Sequence, residues 1–501
     1  MARYIPEDQS KLLPVIFSQQ ITPGTFEHTV TFLIDEHLDM SVFDARYKND
    51  ETGRPAYNPA MLLRVILSAY ARGHTSSRQI EQLCRENVVF MALSGDSQPH
   101  FTTFARFISE MGDVVQSLFT QVLLVCDQEG LIGGHMFAID GCKMPSNASR
   151  RWSGTKSELD KKHKKIDQAV RRMLQKHREE DDSGQVNDQT RRAAEEKNIE
   201  SLRKASQKIK KHCAAAEERT GQSGKPVKGN ITDNDSANML TSHGGIQGYN
   251  GVAAVDDQHQ IVIAAEAFGQ GPENNLLAPI VDQVRTRLGD DYVRDALMTA
   301  DAGFHSANTL AFCEQENLNA LIADGNFRKR DPRFADRDRH QPKARQANHF
   351  RSADFDYDPV VQTCRCPAGK SLKRSHTYIA SDVEYVSFVG RLSECRGCPL
   401  EARCMRKGAT VRGRQVSFRS SESTGRTSPV ERMKTRIDSP EGRYHYSRRL
   451  GAVEPVFGNI NTTKRLNRFS LRGRHKVNGQ WLMFCLVHNV EKLQRYGQLG
   501  R

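Results

Sequence analysis

Met136-Phe137-Ala138-Ile139-Asp140-Gly141 is a short apolar run that ends in a carboxylate and a glycine, with Gly133-Gly134 just ahead of it. An apolar run this short, bounded by glycines, predicts a buried strand. A carboxylate at the end of such a strand sits at the rim of a sheet. It stays ionised there only if water, a cation or hydrogen bonds support it. One such acid is most often a turn cap. The pattern recurs, however. Asp301 follows Ala296-Leu297-Met298-Thr299-Ala300 and precedes Ala302-Gly303, and a third acid, Glu454, lies in Val453-Glu454-Pro455-Val456-Phe457-Gly458. Three rim acids far apart in sequence can converge on one divalent-metal site. Asp233, Asp235, Asp256 and Asp257 are further rim acids and stay open as candidates.

Around these acids the chain reads as an α/β protein with added pieces. Residues 1–130 read as helical: Asn58-Pro59 starts one helix, Gly73 ends it, and Thr75-Ser76-Ser77 caps the next. Short helices with tight polar turns suit a DNA reader and equally any small helical domain. Residues 151–225 predict an antiparallel pair of charged helices broken at Asp182-Ser183-Gly184. Its Lys and Arg pairs are a solvated surface or a DNA-backbone arm. From Asn230 the order is strand, strand, helix, strand, helix, strand, with a hairpin turning at Asp256-Asp257. Residues 328–440 form a basic, loop-rich stretch with a cysteine cluster, and the chain returns to helix from Tyr444. The N-terminus, Met1 to Ile5, lacks a signal-peptide core, and no apolar run is long enough to span a membrane. The expected location is cytoplasmic. A formal net charge of +13 points to a polyanionic partner, nucleic acid first.

Carboxylates in a basic protein fit phosphoryl transfer on nucleic acid, where two Mg²⁺ ions clamp the attacking and leaving oxygens. The cysteines read separately. Cys395-x-x-Cys398 is a metal-ligand pair, Cys404 follows it, and either Cys364 or Cys366 completes a tetrahedral set. The preferred structural Zn²⁺ set is Cys366, Cys395, Cys398 and Cys404, because Cys366-Pro367-Ala368-Gly369 offers a tight turn. Free thiols are the other reading. His135, His243 and His305 receive no catalytic role, and neither a nucleophile elbow nor a P-loop is present.

Taken together, these motifs resemble DDE transposases of bacterial insertion sequences. Phe137-Ala138-Ile139-Asp140-Gly141 is similar to the family's first acidic strand and Thr299-Ala300-Asp301-Ala302-Gly303-Phe304 to its second. Asn230 to Asn250 resembles the approach to the hairpin. Tyr446-Ser447-Arg448-Arg449, leading to Glu454, resembles the tyrosine–arginine–glutamate signature, and the block through Phe101-Thr102-Thr103-Phe104 resembles the N-terminal DNA-binding domain. The resemblance implies a ribonuclease H-like mixed-sheet core over 131–501. It would be preceded by the helical DNA-binding domain and interrupted by the helical hairpin and the small Cys-rich insertion. It implies that Asp140, Asp301 and Glu454 hold Mg²⁺ or Mn²⁺. Tyr446 and Arg449 would contact double-stranded DNA near the cut, in an assembly expected to be a homodimer or larger. Relatives often carry a Lys six or seven positions after the glutamate. Here Ile460 and Asn461 stand there, and the nearest basic pair, Lys464-Arg465, is expected to bind DNA. The expected activity is cleavage at mobile-element ends and strand transfer into target DNA. A non-catalytic, decayed or domesticated DNA-binding protein and a metal-dependent nuclease without strand transfer are the alternatives.

Overall fold

Local signals start and stop the first helices where the sequence places them. Asn58 Oδ1 accepts the Ala60 N–H at 2.8 Å, with Pro59 at the first helical position. Asn87 Oδ1 likewise accepts the Val89 N–H at 3.0 Å, satisfying donors that a helix start leaves open. The structure is a computed structural model. It describes residues 14–46, 55–182, 189–221, 224–242, 244–334, 349–380, 383–405, 408–409, 411–420 and 428–499. Met1 to Ile5 and Ser183-Gly184 lie outside the described residues.

The chain divides into two units. One runs to Phe304 and adds Asn317–Leu321 and the chain from Tyr444; the other comprises His305–Glu316 and Ile322–Arg443. The first unit opens with helices α1 (Phe26–Glu36), α2 (Pro59–Ala71), α3 (Ser77–Glu86), α4 (Val88–Ser94), α5 (Phe101–Glu110) and α6 (Gly112–Gln128). It continues through β1 (Met136–Pro145), β2 (Ser153–Gly154), α7 (Lys156–Asp182), α8 (Gln189–Ala215), β3 (Gly229–Asn230), β4 (Ala237–Thr241), β5 (Gly244–Asp256) and β6 (Val262–Phe268). Then follow α9 (Leu277–Leu288), α10 (Asp290–Asp295) and β7 (Leu297–Ala300).

β1, β5 and β7 form the centre of a mixed sheet ordered β4-β5-β1-β7, with β6 also paired to β5. β1 runs antiparallel to β5 and parallel to β7. The parallel register pairs Ile139 with Ala300. The next residue in each run is an acid: Asp140 lies within β1, which continues beside β5 to Pro145, and Asp301 directly follows the end of β7, so the two stand side by side. α7 and α8 pack on each other. His177 Nε2 meets Glu195 Oε2 at 2.8 Å, while Ser206 Oγ donates to Asp167 Oδ1 at 2.5 Å. Pairs whose members approach each other in sequence in this way mark an antiparallel hairpin.

The last helix of the chain, α16 (Arg474–Tyr496, numbered after the second unit's elements below), organises this unit. Trp481, Leu482, Met483, Phe484, Cys485, Leu486 and Val487 are all buried in succession, so the helix is enclosed on every side. It packs on β6 and on α6, α5, α2 and α1. That explains why the helices expected as a separate domain over 1–130 fall into the same unit as the sheet. Its amides also close the β6 edge. Asn489 Nδ2 donates to the Val262 carbonyl and its Oδ1 accepts the Val262 N–H, both at 2.8 Å, and Asn478 Oδ1 accepts the Ala267 N–H at 2.9 Å. An open strand edge is thus covered by side chains.

The second unit holds α11 (Ala307–Gln315), and β8 (Ala320–Ile322) crosses its boundary with the first. The expected loop-rich stretch is instead built on an antiparallel meander, β9 (Asp356–Asp358), β10 (Thr363–Arg365), β11 (Ser371–Ala380), β12 (Val383–Val389) and β13 (Gln415–Arg419). α12 (Leu392–Cys395), α13 (Glu401–Cys404) and α14 (Pro429–Asp438) belong to the same unit. Phe355, Cys364, Leu372, Val386, Phe388 and Val416 form its core. α15 (Pro440–Gly458) returns the chain to the first unit at Tyr444.

Asp256 anchors the loop that leads into β1. It is fully buried; Oδ1 accepts the N–H groups of Gly133 (3.1 Å) and Gln258 (3.0 Å), and Oδ2 accepts the Gly134 N–H (3.2 Å) and the Tyr292 hydroxyl (2.9 Å). Asp256→Ala leaves four donors, most of them partly buried, without their acceptor and is expected to destabilise the chain by about 3 kcal/mol. Urea unfolding measures this, and a loss below about 1 kcal/mol would refute the anchoring role.

Candidate active site

Asp140 Oδ1 accepts the N–H of Gly141 at 2.8 Å, which turns its other oxygen outward from the strand. Arg449 reaches into this corner from α15. Its Nη1 donates to Asp140 Oδ2 at 2.6 Å and its Nη2 to Asp301 Oδ1 at 3.4 Å. One guanidinium therefore bridges the two acids. Burial pushes the Asp140 carboxyl above its ordinary range, and the neighbouring Asp301 charge adds to that; Arg449 and the Gly141 N–H pull the other way. Arg449 is 5 % exposed, so its charge is matched almost entirely by these acids. The Tyr446 ring lies one helical turn before it, with the guanidinium 5.7 Å from the ring centroid. Burial pushes the Tyr446 phenol up to about 12.

The buried stripe of α15 and its continuation is Arg449, Ala452, Val453, Val456 and Ile460, the spacing of one helical face. Glu454 stands off that stripe. It is exposed and takes no hydrogen bond or ion pair with any described residue. The structure thus brings Asp140 and Asp301 together and leaves Glu454 apart from them. No group of three or more His, Cys, Asp or Glu among the described residues is set to hold a metal ion. Pro455 has no N–H to give the Gly451 carbonyl, and Gln260 Nε2 takes that acceptor at 2.9 Å. A π-helical turn, Asn459–Thr463, follows the helix and carries the positions after the glutamate. Ile460 is buried, and Asn461 Nδ2 donates to Cys142 Sγ at 3.1 Å.

Lys464 corrects an expectation. It is fully buried and its Nζ sits 2.5 Å from Glu491 Oε2, so in this structure its ammonium is not presented to a DNA phosphate. The π turn rotates it inward, and Arg465 takes the exposed position with φ +58°. The other rim acids have structural work. Asp233 accepts the Tyr249 hydroxyl at 2.7 Å and the Gly473 N–H at 3.2 Å, and Asp235 accepts the Arg474 N–H at 2.8 Å at the start of α16. Asp257 pairs with Arg448.

A neighbouring acid was not found from sequence. Glu273, in the loop between β6 and α9, lies against both acid-bearing segments, with Asn250 and Lys143 as partners. Gly271-Pro272 just ahead of it marks a turn after a strand, which was the one local signal available.

In the second unit Cys366, Cys395, Cys398 and Cys404 line one cavity of about 40 Å³. Gly369, at φ +76°, donates its N–H to the Cys366 carbonyl at 2.7 Å, closing a tight turn. Cys395 Sγ is tucked under Gly390 and Gly413, where added Cβ atoms would come to 2.9 and 3.0 Å. Burial raises the Cys404 thiol, and negative charge on Cys395, Cys366 or Cys398 raises it further. Cys364 points away, buried in the core of the meander. The thiols are free and are not drawn in to ligand distances.

Two family models match parts of the chain. Residues 365–494 match the family model described as a transposase DDE domain, and residues 15–110 match one described as a transposase domain (DUF772). Both matches are to transposase families, and they are consistent with a DDE transposase of the insertion-sequence kind. The first match contains Tyr446, Arg449, Glu454 and the four cavity cysteines; Asp140 and Asp301 lie outside it. No curated protein matches the chain. No helix among the described residues is long and apolar enough to cross a membrane.

Proposed function

We propose that this chain cuts double-stranded DNA at the ends of a mobile element and joins the freed 3′-hydroxyls to target DNA. The catalytic centre would be ribonuclease H-like, over 131–501, with 151–225 and 328–440 as insertions. The observation that carries the reading is the parallel pairing of β1 and β7, which sets Asp140 beside Asp301 around one cation. That cation is an arginine, so the pair already accommodates positive charge, and two carboxylates suit a hard divalent ion such as Mg²⁺ or Mn²⁺. Asp140 and Asp301 would hold it, and Glu454 would complete the set by a shift of α15 that moves Arg449 out. Bound divalent ions supply the Lewis acidity that activates water or a 3′-hydroxyl and stabilises charge on the scissile phosphate. Tyr446 and the displaced Arg449 would face DNA at the cut, and the exposed Arg465 would support the backbone.

DNA positioning is supported by a groove along α8. Lys197, Lys204, Lys208 and Lys211 line it with Arg472 and Trp152, a run of cations suited to phosphates. The N-terminal helices would read the element's end, and two ends to cut favour a homodimer or larger assembly on DNA, in the cytoplasm. The test is a labelled terminal-repeat duplex incubated with Mg²⁺ and plasmid target. Binding, nicking and joining together are expected. Nicking without joining would make the chain a nuclease, and salt-sensitive binding alone would make it a non-catalytic DNA-binding protein.

Cys366, Cys395, Cys398 and Cys404 would hold a structural Zn²⁺, their thiols contracting around the ion as they lose protons. The purified chain is expected to carry about one zinc. Cys398→Ser and Cys404→Ser should each release it, and Cys364→Ser should not. Emission spectroscopy of the dialysed protein measures this, and unchanged zinc in Cys398→Ser would refute the site.

A further inference from the structure

Glu273 approaches the acid-bearing rim beside Gly141 and Lys143 of β1. Gly141 and Lys143 alternate with Asp140 along β1, and Lys143 pairs across to Asn250 on β5. Glu273 closes over this face. Asn250 Nδ2 donates to its Oε1 at 3.0 Å, and Lys143 Nζ lies 3.4 Å from the same oxygen. The side chain is only 10 % exposed.

Two glycines make room for this carboxylate. A Cβ on Gly141 would come to 3.1 Å from Oε1, and a Cβ on Gly303 would come to 1.9 Å from Oε2. Gly141 directly follows Asp140, and Gly303 lies two residues after Asp301. One carboxylate thus lies against both segments that carry the acid pair. Both of its polar partners use Oε1. Among the described residues no donor reaches Oε2. Oε2 lies on the side of Gly303, toward the turn that follows Asp301.

We propose that Glu273 is a positioning acid of the metal site. It would pin the two segments against each other and offer Oε2 to the water shell of the divalent ion that Asp140 and Asp301 hold. Mg²⁺ keeps several of its waters in proteins, and carboxylates that hydrogen-bond such a shell tune affinity without direct ligation. This role rests on the assignment of Asp140 and Asp301 as the metal pair. Lys143 offsets the charge of Glu273 before the ion binds, as Arg449 does for the two aspartates.

The test is Mn²⁺ binding to the full chain, followed by the electron paramagnetic resonance of free Mn²⁺. Glu273→Gln keeps the shape and the Asn250 hydrogen bond. It is expected to weaken Mn²⁺ binding by about ten-fold without lowering the metal-free melting temperature. Gly303→Ala, whose methyl would displace Oε2, should weaken binding comparably, and the double variant should be no worse than either. Wild-type Mn²⁺ affinity in Glu273→Gln, with binding lost in Asp140→Asn, would overturn this role and leave the metal pair standing. Wild-type affinity in Asp140→Asn would overturn both.

Discussion

Asp140→Asn, Asp301→Asn and Glu454→Gln are each expected to lower Mg²⁺-dependent cleavage of a terminal-repeat duplex by ~10³-fold or more, with duplex binding nearly unchanged. The size follows from the chemistry. A carboxylate that holds a catalytic ion contributes several kcal/mol to the stabilisation of transition-state charge, and each ~1.4 kcal/mol is ten-fold in rate. The amide variants keep the shape, so Arg449 still finds an oxygen at position 140 or 301. Folding should survive, because Asp140→Asn and Asp301→Asn each leave Arg449 one acidic partner and Glu454 is exposed. Glu454→Gln is the most demanding member of the set. The side chain is exposed and unpartnered, so nothing in the resting structure depends on its charge. A loss of cleavage there cannot be assigned to misfolding, which circular dichroism and melting temperature would check. Cleavage within a few-fold of wild type in Glu454→Gln would remove it from the site, and the same result in Asp140→Asn would remove the site altogether.

The residues that were legible in the sequence are those whose signal is local. Phe137–Asp140 and Leu297–Asp301 announce themselves because a buried strand is an apolar run, although β1 continues through Gly141 to Pro145. The register between them is not local. Nothing in either run says that β1 and β7 are parallel neighbours with Ile139 opposite Ala300, and that pairing is what makes two acids one site. Glu273 was silent for the same reason. Its meaning comes from Gly141 in β1 and Gly303 after β7, which are ordinary glycines until a carboxylate is lodged against them. The meander of the second unit was read as loop because β11 is exposed along most of its described length after Leu372. Its backbone pairing with β10 and β12, more than apolar alternation, holds it in place. Lys464 looked like a phosphate ligand by position alone. The π-helical turn and the Glu491 carboxylate turned it inward, and sequence spacing carries no record of an inserted helical residue.

Arg449→Ala is expected to act on stability and metal affinity in opposite directions. In the metal-free chain it removes the cation that Asp140 and Asp301 share, and breaking a buried pair of this kind costs about 3 kcal/mol. The loss should depend on pH with a definite sign. Arg449 is the largest influence lowering the Asp140 carboxyl, against the burial that raises it, so without Arg449 that carboxyl rises further. A carboxyl raised in the folded state stabilises it below the unfolded value and loses that contribution as pH climbs through the folded value. The deficit of Arg449→Ala should therefore be larger at pH ~8 than at pH ~5. Divalent ions should repair it. Wild-type protein must give up the arginine contact before an ion can enter, which lowers its apparent affinity; the variant has no such contact to give up. Mn²⁺ is expected to bind Arg449→Ala about ten-fold more tightly and to raise its melting temperature more than that of the wild type. DNA cleavage should still fall, because the residue freed from the acids is the one that would face the cut strand. Destabilisation with unchanged Mn²⁺ affinity would mean that Arg449 braces the fold without holding the place of the ion. Tighter binding would mean that the resting enzyme keeps its metal seat filled with its own side chain until DNA and magnesium arrive.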